Sequence, residues 1–329
     1  WRFSGHRFRQ LQVQRAAARL ERSKCFLEAS MLYSKLLEYQ PRNPCHIAQR
    51  LALCLDRMGE PKAGVQMCLS HHQDGPAGYP LIRTGRRLAK RSGMDWTGHQ
   101  LPAKTPSQII RLPYGVQNGK WLTEEGPRRI EDAVVLFLHQ HSCKAIRSEN
   151  RLWSTLYGLI FTDAIFAPID GMLPTPHLNQ PLDLGSQGFR SRRLDHIDSA
   201  LADIQQGDAR LRIEENFARY KGQNIAGVCW NQFSLEQLCS ICEKIAPKAL
   251  AFIMNRFVDD WRSAAKGMPD LMLFPSHGPL AVAEVPNEPL LIEVKGPNDS
   301  LRDHQRWWHL ALNQHGMPTQ VWHIQSSGG

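Results

Sequence analysis

Two apolar runs near the C-terminal end carry charges where charges are costly. The first, Pro269-Asp270-Leu271-Met272-Leu273-Phe274, puts a carboxylate at the mouth of an apolar stretch. The second, Leu290-Leu291-Ile292-Glu293-Val294-Lys295, sets an acid and a base two residues apart inside another. Charged groups enter apolar surroundings only when they are paired or bind an ion. Both runs are short and rich in aliphatic residues, so they are expected to be strands. QVWHIQ, residues 320–325, is expected to be a third strand. Before it, SLRDHQRWWHLALNQHG has helical spacing, with Ser300 and Asp303 resembling a capping box and Gly316 as its stop. Strand, strand, helix, strand is a compact α/β unit.

Side chains alternate along a strand, so Glu293 and Lys295 share a face with Leu291 beneath them. If the strands pair, Asp270 joins them. Carboxylate oxygens are hard ligands suited to Mg²⁺ or Mn²⁺. A bound divalent ion lowers the pKa of a water and stabilises charge on a phosphoryl oxygen. A lysine beside that water can orient it, deprotonate it or offset developing charge. This is the minimum equipment for metal-assisted phosphodiester hydrolysis. The competing reading is a structural Glu293–Lys295 ion pair beside an incidental Asp270.

At 329 residues the chain has room for two or three domains. Residues 1–92 are expected to be helical: LQVQRAAARLERS, CFLEASMLYSKLLEYQ, NPCHIAQRLALCLDRMG (capped by Asn43, stopped by Gly59) and EPKAGVQMCLSHH, with Pro61 in its first turn. Ala29 and Ala63, 34 residues apart in similar contexts, suggest a tetratricopeptide-like repeat. Residues 93–120, rich in Gly, Pro and Thr, are expected to be a connector. Residues 121–260 form a second helical region, with helices over 192–205, 209–220 and 234–258 within it. Residues 261–329 hold the α/β unit. No apolar run reaches the length of a membrane span. With Trp1 in place of an initiating Met, the sequence is expected to be part of a longer chain.

The net charge of +9 favours a polyanionic partner. RTGRRLAKR is the densest basic run, with Arg83, Arg86, Arg87, Lys90 and Arg91 at helical spacings: either a solvated face or a phosphate-contacting one. Of the eight cysteines only Cys239 and Cys242 form a C-x-x-C, and their helical context makes them core thiols rather than zinc ligands. Scattered cysteines without a framework fit a reducing compartment.

GMPDL, LLIEVKGPNDSLRDHQRWW and TQVWHI together resemble the VRR-NUC branch of the PD-(D/E)xK nucleases. RSENRLWSTLYGLIFTDAIFAPIDG and PLDL resemble the region preceding that domain in the Fanconi-anaemia-associated nuclease family, and the resemblance extends over roughly residues 1–325. It implies a TPR-like helical half followed by a restriction-endonuclease-like α/β nuclease domain. It also implies a structure-selective enzyme that cuts 5′ flaps, degrades DNA 5′ to 3′ and serves interstrand-crosslink repair. Branched or 5′-flap DNA is the expected partner, with Mg²⁺ or Mn²⁺ as cofactor and neither a small-molecule cofactor nor a membrane. Further N-terminal modules of eukaryotic relatives are missing from the sequence, which implies a bacterial member acting in the cytoplasm, or in the nucleus if the source is eukaryotic.

By the same resemblance Glu149, Asp270 and Glu293 are expected metal ligands, joined by the backbone carbonyl of Val294. Glu149 is expected on a helix. Lys295 is the expected catalytic lysine and Gln305 a supporting or DNA-contacting group. At His304 some members carry a lysine for a terminal phosphate; a histidine, mostly neutral at pH 7, puts that recognition in doubt. Arg86 and Arg87 match a basic segment of the family's helical half and are the strongest candidates for backbone contacts. Two other classes stay open: an inactive nuclease fold serving as a DNA-binding scaffold, and a helical-repeat adaptor for proteins.

Overall fold

The computed structural model describes residues 2–39, 41, 43–73, 75–98, 105–175, 177–275 and 288–327. The chain divides into two compact units, Trp1–Ala103 and Lys104–Gly329.

The first unit is helical: α1 (Arg2–Arg22), α2 (Phe26–Glu38), α3 (Pro44–Arg57), α4 (Pro61–His71) and α5 (Tyr79–Ser92). Each helix packs on the next, and α3 also packs on α5, as stacked helical hairpins require. The start of α3 is set as expected: the Asn43 side chain accepts from the His46 N–H, and Pro44 occupies the first turn, where no amide donor is needed. The repeat is displaced by one residue from the Ala29–Ala63 spacing. Ala29 is fully buried, but Ala63 faces solvent, and Gly64 takes the inward position. A Cβ at Gly64 would stand 2.9 Å from the Ala52 carbonyl oxygen, so close approach of α3 and α4 selects glycine there.

The second unit is a mixed α/β domain. Its elements run β1 (Ser107–Leu112), β2 (Gly115–Gln117), β3 (Lys120–Thr123), β4 (Gly126–Arg128), α6 (Ile130–Gln140), β5 (Ala145–Arg147), α7 (Arg151–Ile160), α8 (Thr162–Ile165) and α9 (Gln187–Ser191). There follow α10 (Leu194–Gln206), α11 (Ala209–Tyr220), α12 (Leu235–Lys244), α13 (Pro247–Ala264), β6 (Leu271–Leu273), β7 (Leu290–Lys295), α14 (Asp303–Gln314) and β8 (Thr319–Ser326). The main sheet has the order β1-β8-β7-β6-β5, with β1–β8 and β8–β7 parallel and the other two pairings antiparallel. Strands β2, β3 and β4 form a separate antiparallel meander.

Four expectations are corrected here. Residues 93–120 are not simply a connector. Residues 99–104 lie outside the described ones, but β1 is an edge strand of the main sheet and β2 opens the meander. The pairing partner of β1 is β8, more than 200 residues away, so Gly- and Pro-rich local composition hid it. Residues 121–260 are likewise not wholly helical, since β3, β4 and β5 lie there. The helix expected over 234–258 is two helices. Pro247 drives Ala246 out of the helical region to ψ 132°, which ends α12 and lets α13 start with proline in its first turn. Finally, α14 begins at Asp303 rather than at a Ser300 cap, and the Gln305 side chain accepts from the Arg302 N–H at its entrance.

One face of the main sheet, with Leu271, Leu273, Leu290, Ile292 and Val294, packs on Ala133, Val134 and Leu138 of α6. Period-two alternation places Leu291, Glu293 and Lys295 on the other face, and α14 reaches them there through Gln305. Among the described residues no helix is long and apolar enough to cross a membrane.

Candidate active site

Asp270 and Glu293 meet at one end of β6 and β7. Leu271 pairs with Ile292, which brings Asp270 level with the Glu293–Val294 peptide. There Asp270 Oδ2 accepts from the Val294 N–H at 2.8 Å. The turn before Asp270 lies tightly against the start of α14. Gly267 has φ +83°, and a Cβ on it would fall 2.3 Å from the His304 ring and 3.1 Å from the Gln305 nitrogen. Glycine is required there on both counts.

Glu293 is almost wholly buried, with 1% of its surface exposed. Its Oε1 pairs with Lys295 Nζ at 3.0 Å and accepts from the Gln305 side-chain amide. Lys295 also donates to Gln305 Oε1 and to Asp299, both at 3.3 Å. Gln305 therefore joins acid, lysine and helix entrance in one network.

Burial pushes the Asp270 carboxyl up to about 7. The Val294 N–H works against that shift, while the charges of Glu131 and Glu149 add to it. Burial pushes Glu293 up to about 8, with Asp270 reinforcing it and Lys295 opposing it. Burial pulls the Lys295 ammonium down, but Glu293 and Asp299 outweigh it and the net direction is up. Both acids rise mainly because they are buried, and the lysine rises because it faces Glu293 and Asp299. A charged Lys295 beside two buried acids that hold their protons above the usual carboxylate range satisfies all three directions.

Glu149 is not on a helix as expected. It lies in the turn between β5 and α7, about half exposed. Two bonds dock that turn beside Asp270: the Ser148 N–H donates to the Asp270 carbonyl at 2.9 Å, and its hydroxyl to the Pro269 carbonyl at 3.1 Å. Glu149 Oε2 is taken by Arg147 at 3.1 Å, and the same guanidinium holds Asp132 at 3.0 Å. This explains why, among the described residues, no three acidic, His or Cys side chains converge on one point. Val294 enters the site through its amide, donating to Asp270.

A hard divalent cation fits this donor set. The buried Glu293 Oε2 has no hydrogen-bond partner among the described residues, and two adjacent buried acids are costly to ionise without a counter-charge. Asp270 and Glu293 are in place for such an ion; Glu149 would have to turn from Arg147.

The remaining candidates divide. His304 is partly buried, and burial followed by Arg302 pulls its ring below the usual histidine range, so it is neutral at pH 7. On α5 the residues Leu81, Ile82, Leu88 and Ala89 face inward, while Arg83, Arg87 and Lys90 face solvent and Arg86 is half-buried. Arg91 is withdrawn into an ion pair with the buried Asp56. Cys239 and Cys242 are buried, and burial pushes both thiols up, as expected of core cysteines. Sequence reasoning also missed Glu131, in the first turn of α6, whose charge acts on Asp270. An acid in a helix first turn is common enough that nothing local distinguishes it.

A mixed sheet with a carboxylate at the mouth of one strand and Glu-x-Lys on its neighbour defines the PD-(D/E)xK nuclease fold. Residues 204–325 match the model of the VRR-NUC domain. It is similar to Fanconi-associated nuclease 1 homologues. The Arabidopsis thaliana protein is 29% identical over 294 residues, 83% of this chain and 32% of that one. The rice protein is 33% identical over 178 residues, 54% of this chain and 18% of that one. The Pseudomonas aeruginosa protein is 30% identical over 203 residues, 60% of this chain and 35% of that one. This chain thus spans about a third or less of those relatives. A crystal structure of paFAN1 bound to 5′-flap DNA with a one-nucleotide flap and a gap superposes with TM-score 0.77 at 24% identity, covering 97% of this chain and 55% of that one. The likeness shows a shared fold across both units.

Proposed function

We propose that the chain is a divalent-metal-dependent DNA nuclease that cuts branched or 5′-flap DNA, with 5′-to-3′ exonuclease action and a role in interstrand-crosslink repair. The observation that carries the reading is the bonded network of Glu293, Lys295 and Gln305, with Asp270 held beside it by the Val294 N–H, on a VRR-NUC core. Relatives named as Fanconi-associated nucleases, and a neighbour solved on a 5′ flap, support the substrate class.

Asp270, Glu293, the Val294 carbonyl and a reoriented Glu149 would hold Mg²⁺ or Mn²⁺. Such an ion supplies a water of lowered pKa and a counter-charge for the phosphoryl oxygens. Lys295, held cationic by Glu293 and Asp299, orients the attacking water and offsets charge on the phosphorane-like transition state. Its raised pKa makes it a poor general base at neutral pH. Gln305 fixes both Glu293 and Lys295, so neither can turn away from the scissile phosphate. The α5 stripe of Arg83, Arg86, Arg87 and Lys90 would add sequence-independent contacts to duplex phosphates.

The test is incision of an end-labelled 5′-flap duplex with Mg²⁺ or Mn²⁺ and with EDTA. Wild type is expected to cut only with metal, Glu293→Gln to be inactive, and Lys295→Ala to lose roughly 10²–10³-fold in rate. Equal cutting by Glu293→Gln, or cutting in EDTA, refutes the assignment. Flap binding without cutting under all conditions would instead favour the scaffold reading.

A further inference from the structure

The start of α7 carries a second surface beside the acids. Ser148 docks the turn before this helix on Pro269 and Asp270, and Arg151 is the helix's first residue. The segment 221–234, between α11 and α12, runs along α7 towards that same end. One turn into the helix the Cys229 N–H donates to Thr155 Oγ1 at 3.2 Å, and at the helix start Arg151 donates to the Gln232 side-chain oxygen at 3.3 Å. Asn179 fixes the earlier part of the segment: its carbonyl accepts from the Ala226 N–H at 2.9 Å, and its amide donates to Asn224 at 3.3 Å. The Trp230 indole N–H donates to the Gln223 carbonyl, and its ring meets Phe217 of α11 edge-on with centroids 5.3 Å apart. The segment is therefore held along its length against a helix whose entrance adjoins Asp270.

The outward groups of this surface are bases and amides. From Asn216 to Leu235 the sequence has no Asp or Glu. Arg151, Arg219, Lys221, Asn231 and Gln232 are exposed. Lys221 Nζ lies 5.6 Å from the Phe217 ring centroid and the Arg219 guanidinium 6.0 Å from that of Tyr220, so aromatic rings, not carboxylates, steady these two cations. Arg151 bonds a neutral amide, and none of the three has an acidic partner among the described residues. Arg210 and Arg212, earlier on α11, are by contrast paired with Glu214 and Glu243 and with Asp163 and Asp203. Unpaired cations interleaved with amides on a fixed loop match the chemistry of a sugar–phosphate backbone. The acids themselves repel a polyanion, so positive groups beside them are needed to draw one in.

We propose that the surface of residues 219–232, together with Arg151, is a DNA-backbone contact surface that guides a substrate strand to the acid cluster, with Arg151, Arg219 and Lys221 on its phosphates. The inference rests on the DNA-cleaving reading above and adds to it a contact surface within the nuclease unit itself. Such contacts read no base, so they set affinity and its salt dependence and leave sequence preference alone.

The test is fluorescence anisotropy of the full chain on a labelled 5′-flap duplex in EDTA, across a NaCl series, with thermal melts of each variant. Arg151→Gln with Arg219→Gln and Lys221→Gln is expected to lower the slope of log affinity against log salt by about 2–3 and to weaken binding roughly tenfold at physiological ionic strength. Lys221→Gln alone, which breaks no hydrogen bond, should lower the slope by about 1. The charge-keeping set Arg151→Lys, Arg219→Lys and Lys221→Arg should bind as wild type does. The control, Lys120→Gln with Lys248→Gln at exposed positions of β3 and α13, should leave the slope within about 0.5 of wild type. A wild-type slope in both Gln variants overturns the inference. So does an equal fall per charge in the control, which marks net charge alone, and so does an equal loss in the charge-keeping set, which marks a packing role. A wild type that shows no salt-dependent flap binding sinks the DNA reading itself, and this inference with it.

Discussion

Replacing Asp270 with asparagine should make the metal-free protein more stable, and more so the higher the pH. The buried Asp270 carboxyl is pushed up to about 7 from an ordinary value of 3.8. A folded pKa above the unfolded one means that the native state binds the proton more tightly. Stability from this group is then fully present below about pH 4 and is lost as pH rises through about 7. By pH 8 the acid is ionised at a cost of roughly 4 kcal/mol, taking about 1.4 kcal/mol per pKa unit. Asparagine never pays that cost, and its side-chain oxygen can still accept from the Val294 N–H. Removing the charge also relieves Glu293, whose rise depends partly on Asp270. The expected gain is about 2–4 kcal/mol at pH 8 and about 1–2 kcal/mol at pH 5. For a unit of this size that is roughly 5–15 °C in melting temperature at pH 8. The assay is calorimetric melting in EDTA at both pH values, then with Mn²⁺. Metal should reverse the order, raising wild type by ligand linkage and leaving Asp270→Asn unmoved. A variant that melts below wild type at pH 8 in EDTA, or gains equally at both pH values, refutes the account of a repulsive carboxylate pair awaiting a cation.

Gln305→Leu removes the bonds to Glu293, Lys295 and the Arg302 N–H together. It should lower stability by roughly 1 kcal/mol through the lost helix-entrance bond and cut the incision rate at least tenfold with flap affinity unchanged; a rate within twofold of wild type excludes the positioning role. Arg86→Ala with Arg87→Ala should reduce the slope of log affinity against log salt by about 1–2 on duplex DNA while leaving sequence preference unmoved. An unaltered slope removes those side chains from the DNA interface.

How much was legible depends on how local each signal is. Alternation along Leu290–Lys295 put Glu293 and Lys295 on one face, and the structure pairs them at 3.0 Å. The Asn118–Gly119 turn is also legible, since Asn-Gly between short extended runs is a strong hairpin signal, but the Gly- and Pro-rich run around it masks the signal. The helix break at Pro247 is written in the sequence as well, and a long apolar pattern concealed it. Ala63 failed as the inward repeat position because a 34-residue spacing is a count, whereas burial follows helix phase.

By itself, then, the sequence determined that two apolar strands must carry Asp270, Glu293 and Lys295, because strand periodicity and the cost of buried charge act between neighbours along the chain. Resemblance added Glu149, though on a helix where the structure has a turn. Tertiary structure alone decided what stands across from Asp270. Ser148 ties the Glu149 turn to Pro269 over a separation of 121 residues. Packing of α6 on the sheet brings the charge of Glu131 to bear on Asp270. Both depend on sheet order and helix docking, which no local pattern encodes, so the surroundings of Asp270 became visible only with the fold.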